Sequence, residues 1–176
     1  MIIRSTDIDG LKIIDIDRID DNRGFFARSF CKDEFLKNNL ENEIVQCNIS
    51  QNVHKGTLRG MHYQLHPHEE VKMVRCTQGA IFDVVIDLRK ESATYLMWRG
   101  FDLCADDYRM LYIPKGCAHG FQTLEDSSDV QYMVTEAYHP DFYQGVRWND
   151  NVFGIQWPIV SPIISEKDQN YPDYRA

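Results

Sequence analysis

The chain has 176 residues, 43% hydrophobic and 12% aromatic, enough to build one sizeable core (a single domain, 1–176) and too few for a second independent domain. Its formal charge of −8 repels polyanions, which argues against a nucleic-acid partner. Its apolar runs, such as Ala80-Ile81-Phe82 and Val84-Val85-Ile86, are interrupted by Asp83 and Asp87 and fall far short of the roughly 20 residues that span a bilayer, so no membrane partner is expected.

In chain order, the opening Met1-Ile2-Ile3-Arg4-Ser5 has neither an extended apolar core nor a small-residue cleavage site, which points to the cytoplasm. A strand is expected at 13–17. Residues 32–40 form the one helical segment, with Asp33 and Glu34 near its start and Phe35, Leu36 and Leu40 as its apolar contacts. Strands follow at 43–50, 57–65, 71–77, 80–88, 92–103, 109–113, 118–124 and 129–138, rich in β-branched and aromatic residues and bounded by turn signals such as Gly79. So many short strands with one short helix imply an all-β sandwich or barrel of the jelly-roll kind. The cysteines, Cys31, Cys47, Cys76, Cys104 and Cys117, are odd in number and contain no C-x-x-C pair, so they read as reduced thiols.

Strand alternation puts His62 and Gln64 on one face and Arg59, Met61 and Tyr63 on the other. If His62 and Arg59 serve one ligand, either Gly60 marks a bulge or Arg59 reaches the site of a neighbouring subunit. The second arrangement is expected here, with Arg59 reaching the neighbouring subunit's site.

Two stretches concentrate the chemistry: Gly56-Thr57-Leu58-Arg59-Gly60-Met61-His62-Tyr63-Gln64 with Lys72-Met73-Val74-Arg75, and Tyr112-Ile113-Pro114-Lys115-Gly116-Cys117-Ala118-His119-Gly120-Phe121. Around them stand Asp21-Asn22-Arg23-Gly24-Phe25-Phe26, Phe82 to Arg89, Trp148-Asn149-Asp150, Gly154 to Pro158 and Ser165-Glu166-Lys167-Asp168. In this order they resemble the dTDP-4-dehydrorhamnose 3,5-epimerase family of cupin-fold enzymes, from about Arg18 to Asp168. The resemblance implies a double-stranded β-helix jelly roll, a homodimer exchanging N-terminal strands, a nucleotide-sugar substrate, and epimerisation with no metal and no cofactor. By position it makes His62 the general base, Asp168 the carboxylate that orients it, Tyr132 the general acid and Lys72 the cation beside the substrate ketone. It makes Arg23, Phe26, Gln46, Asn48, Arg59, His119 and Lys167 substrate contacts, and Tyr138 the aromatic that stacks on the nucleobase. Asp83 supports His119 from beneath.

The chemistry explains the residue types. A hydrogen on C3 or C5 of a 4-keto sugar is acidic because the ketone accepts the charge as an enolate. Removing it needs a base that titrates near neutrality and a cation at the ketone oxygen. Inversion needs an acid on the opposite face of the ring, a role open to a phenol.

Two other classes share the fold. Gly60, His66, His68 and Gly79, then Pro114, Gly116 and His119, resemble the motifs of metal-dependent cupins, isomerases or dioxygenases among them, yet Lys72 stands where that pattern wants a glutamate ligand. A non-catalytic sugar-nucleotide-binding module would use Arg59, Lys167 and Tyr138 without needing His62, Asp168 and Tyr132 together. Within the epimerase family the chain departs at Arg28, where a glutamate helps hold the nucleotide, and near Tyr143 and Gln144, where a second acidic contact is usual. These changes bring Arg28 among the substrate-binding positions and raise CDP or GDP as the nucleotide in place of dTDP.

Overall fold

A computed structural model describes residues 1–175. Strands β1 (Ile2–Ser5), β2 (Lys12–Asp15), β3 (Arg18–Asp21) and β4 (Gly24–Ala27) precede the helix α1 (Lys32–Lys37). There follow β5 (Gln46–Asn52), β6 (Thr57–Gln64), β7 (Lys72–Gln78), β8 (Ala80–Asp87), β9 (Trp98–Cys104), β10 (Met110–Ile113), β11 (Cys117–Thr123) and β12 (Ser128–Val134). The chain ends through β13 (Tyr143–Gly145), β14 (Ile163–Ile164) and the short helix α2 (Glu166–Gln169).

The strands form two six-stranded sheets, ordered β1-β2-β10-β7-β12-β5 and β13-β6-β11-β8-β9 with β14 alongside β6, and a separate β3-β4 hairpin. This is the cupin jelly roll. Alternation along each strand sorts side chains into layers. Val74, Cys76, Leu111, Ile113 and Val130 of the first sheet meet Ile81, Val85, Cys117 and Phe121 of the second in a shared core. Met73, Met110 and Tyr112 point out the back of the first sheet, where Phe35 of α1 covers them. Met61, Val84, Ile86 and Ala118 point out the back of the second, beneath Val146, Phe153 and Ile155. Each such aliphatic residue contributes about 1.5–3 kcal/mol on burial.

The element boundaries differ from expectation for local reasons. The strand expected from 92 begins only at Trp98, because Ser92 and Thr94 turn back to donate hydrogen bonds to Asp87 Oδ2, each at 2.6 Å. The helix stops at Lys37 because Asn39 adopts the left-handed conformation, φ 56°. Strand β3 carries no alternation to read, since every one of its residues is exposed.

The expected separation of Arg59 from His62 does not hold. His119 pairs with His62 and Phe121 with Arg59, so two residues of β6 lie opposite the single Gly120 of β11. This bulge adds one residue between Arg59 and His62 and returns both side chains to the face between the sheets. Arg59 therefore lines the same cavity as His62 in its own chain, and the expectation that it reaches a neighbouring subunit's site is corrected.

Only glycine fits there. Gly60 has φ +136°, and a Cβ on it would lie 2.5 Å from Gly120 Cα and 3.1 Å from His119 O. We expect Gly60→Ala to destabilise the fold by about 2 kcal/mol or more, combining left-handed strain with a backbone clash. Scanning calorimetry checks this, and an unchanged melting temperature would contradict the account.

Candidate active site

The inward faces of β5, β7 and β12 on one side and of β6 and β11 on the other enclose a cavity of about 390 Å³. Period-two alternation places Gln46, Asn48 and Ser50 of β5 in it, together with Lys72 of β7 and Val130, Tyr132 and Val134 of β12. The opposing sheet supplies Arg59 and His62 from β6 and His119 and Phe121 from β11. Glu70, Tyr138 and Tyr143 complete the wall.

His62 is anchored from far along the chain. Ser165 caps α2 by accepting a hydrogen bond from Asp168 N at 3.1 Å, which turns the Asp168 side chain towards β6. There Oδ1 lies 2.8 Å from His62 Nε2, and Oδ2 accepts from Gly60 N at 3.3 Å. Burial alone would raise the Asp168 carboxyl, but its bonds to His62, Gly60 and Ser165 hold it below the usual carboxylate range. An ionised carboxylate can only accept, so Nε2 carries the proton of the neutral imidazole and Nδ1 keeps the lone pair. The His62 imidazole itself is shifted down, chiefly by burial, against the opposing pull of Asp168.

Lys72 is nearly buried and pairs with Glu70, Nζ to Oε1 at 2.8 Å. The Tyr132 phenol is pushed up by burial and by the charge of Glu70, so it stays protonated well beyond neutrality. His119 bonds Asp83 Oδ2 through Nε2 at 2.8 Å while also facing the cavity, so the supporting pair and the cavity contact coexist in one residue. Arg59 is held by Asn52 Oδ1 at 2.7 Å and by the carbonyl of Gln51 at 3.3 Å. Gln46 Oε1 accepts from Tyr138 N at 2.9 Å, and the Tyr138 ring packs edge-on to Tyr143 at 5.1 Å. Lys167 does not line the cavity; its Nζ sits 4.9 Å over the Tyr143 ring at the rim.

Three expected substrate contacts lie elsewhere in this chain. Arg23 is paired with Asp21 at the tip of the β3-β4 hairpin, Phe26 is 66% exposed, and Arg28 approaches Glu34 of α1 at 3.5 Å. Hairpin geometry explains this, because β3 and β4 pair only with each other and stand apart from both sheets. Sequence reasoning missed Glu70 as a cavity residue, although its place two positions before Lys72 was a usable signal. It also missed Tyr171, whose ring stands 5.9 Å from that of His62, and treated Tyr143 as a loss of an acidic contact, whereas it forms cavity wall.

Residues 5–176 match the profile of the dTDP-4-dehydrorhamnose 3,5-epimerase family. The chain belongs to this family. A relative bearing that name from Methanothermobacter thermautotrophicus is 43% identical over 173 residues, covering 97% of this chain and 92% of its own. The crystal structure of a Bacillus anthracis dTDP-4-dehydrorhamnose 3,5-epimerase with TDP and pyrophosphate bound superposes with a TM-score of 0.94 at 41% identity, covering 98% of both chains. A 3'-monoepimerase from Streptomyces bikiniensis in complex with dTDP-quinovose gives 0.88 at 29% identity, covering 96% of this chain and 85% of that one.

The His62–Asp168 pair makes a testable electrostatic statement. The imidazole titrates below its ordinary value of 6.5. Because the unfolded chain takes up that proton more readily, this group opposes folding as pH falls through the ordinary imidazole range. Asp168→Asn removes the negative charge that favours imidazolium and leaves at most a weaker, neutral hydrogen bond, so the His62 midpoint should drop further. An NMR titration of the ring protons reads it directly, and an upward movement would refute the assignment.

Proposed function

We propose that the protein inverts C3, C5 or both of a nucleotide-diphosphate-linked 4-keto-6-deoxy sugar, and that His62, Asp168, Lys72 and Tyr132 carry the reaction. The observation behind this reading is the shared cavity. An oriented imidazole on one sheet and a protonated phenol on the other line one cavity, and a buried ammonium lines it from the strand next to the phenol's.

Nδ1 of His62 takes the proton from the carbon beside the ketone, and Asp168 stabilises the imidazolium formed, as in the serine-protease triad. Lys72 places positive charge at the carbonyl oxygen as it becomes an enolate oxygen. Tyr132 donates a proton from the opposite face, after which solvent reprotonates the phenolate and takes up the proton held on His62. Arg59, His119, Gln46, Asn48, Lys167 and Tyr138 then serve the sugar, the diphosphate and the base.

For the nucleotide we propose dTDP. The argument for CDP or GDP rested on charge reversal at Arg28 and on the acidic contact replaced near Tyr143 and Gln144; in this chain Arg28 approaches Glu34 and Tyr143 forms cavity wall. Full-length relatives at about this identity are named for dTDP substrates. We also propose a homodimer in which the β3-β4 hairpin of one copy brings Arg23 and Phe26 to the cavity of the other; exposed Ile19 and Phe26, at 68% and 66%, give it an apolar contact surface. Five free cysteines fit a reducing cytoplasm.

In heavy water, dTDP-4-keto-6-deoxyglucose should acquire deuterium at C3, C5 or both, read by proton NMR. Absence of exchange would remove the epimerase reading. His62→Ala and Tyr132→Phe should each lower turnover by roughly 10²–10⁴-fold. The two should separate: Tyr132→Phe still washes deuterium into the unreacted substrate at a carbon it can no longer invert.

A further inference from the structure

Outside the cavity, His68, Glu136 and His139 bring three donor atoms within 4.8 Å of one another. Glu136 Oε1 stands 3.1 Å from His139 Nε2 and 3.6 Å from His68 Nδ1. The two imidazoles stack with centroids 3.6 Å apart and 23° between their planes, and Phe142 packs edge-on against His68 at 4.6 Å. Ligands about 2.1 Å from a tetrahedral ion are separated from each other by about 3.4 Å, a value that the two measured edges bracket.

The donors are held in place from below. Gln64 is buried, and its Oε1 accepts from His139 N at 2.7 Å while its Nε2 donates to His68 O at 2.9 Å and Ala137 O at 3.1 Å. One side chain thus fastens both loops, the turn after β6 and the segment after β12. Donors positioned by the backbone lose little freedom when an ion arrives. Side chains about one-third exposed leave the ion a path from solvent.

We propose that His68, Glu136 and His139 form a site for one divalent cation of the zinc class, with solvent completing its coordination. Two imidazole nitrogens and one carboxylate oxygen suit zinc and its neighbours, while magnesium and calcium favour all-oxygen sets. The site is separate from the proposed catalytic groups and does not depend on the epimerase reading. Its position has a structural consequence, because Glu136 and His139 flank Tyr138 on the cavity wall, so a bound ion ties down that part of the rim.

Chelator-stripped, tag-free protein titrated with zinc chloride in a calorimeter tests this, with thermal melts in parallel. The wild-type chain should bind one zinc and melt at higher temperature with zinc present. His68→Ala, His139→Ala and the milder Glu136→Gln, each checked for native circular dichroism, should weaken binding about tenfold or more and abolish the thermal shift. His66→Ala should bind as the parent does, since His66 is 85% exposed and pairs with Glu69. No zinc uptake by the wild-type chain, or uptake that these three variants leave intact, overturns the proposal.

Discussion

The cavity depends on one extra residue in β6. Without the bulge at Gly60, strict alternation would turn either Arg59 or His62 out of the space between the sheets, and the other would face it alone. With it, a guanidinium and an imidazole three positions apart share one wall. The backbone contact that permits this is between glycines, Gly60 against Gly120, and the same Gly60 offers its N–H to Asp168. The bulge therefore both aims the imidazole and helps seat the carboxylate behind it, linking strand geometry to the proposed chemistry.

Charge in the cavity is arranged as pairs. The chain is acidic overall, yet the walls hold Arg59, Lys72 and two histidines, with Asp168, Glu70 and Asp83 each bonded to one of them. Asp168 and Asp83 lie outside the cavity lining and hold His62 and His119, which line it, while Glu70 shares the wall with Lys72. A diphosphate sugar entering such a space meets donors on its inner surface while the net negative exterior repels larger polyanions.

Legibility from sequence followed the burial pattern. Strands with one face in the core, such as β8 with Val85 inward and Val84 outward, announce themselves by composition and alternation, and the jelly-roll class follows from their number. Strand β3, exposed throughout, carries no such signal, and α2, four residues long, is too short for a helical period. Asp168 stands in a polar stretch that reads as a turn; the Ser165 cap that positions it is local, but its pairing with His62 is a tertiary contact between residues far apart in the chain. Alternation misplaced Arg59 for the same reason, since a bulge is a property of two strands and neither sequence alone contains it. Glu70 was legible in principle, two residues before Lys72 on the same side of the chain, but Glu69-Glu70 reads as solvated charge until its burial is seen.

Two histidine–carboxylate pairs stand side by side on paired strands, His62–Asp168 and His119–Asp83, with equal 2.8 Å contacts. Their surroundings make them different instruments. The Asp168 carboxylate accepts a further hydrogen bond from Gly60 N, its own N–H is tied to Ser165 Oγ, and it is held ionised, so it can stabilise positive charge that forms on its partner. Asp83 is fully buried, its Oδ1 has no hydrogen-bond partner, and burial pushes its carboxyl upward. A carboxylate already reluctant to ionise is poorly suited to gather a proton's worth of charge in each turnover. Distance alone would not separate the pairs; the count of donors around each carboxylate does, and it favours His62 as the group that cycles through imidazolium.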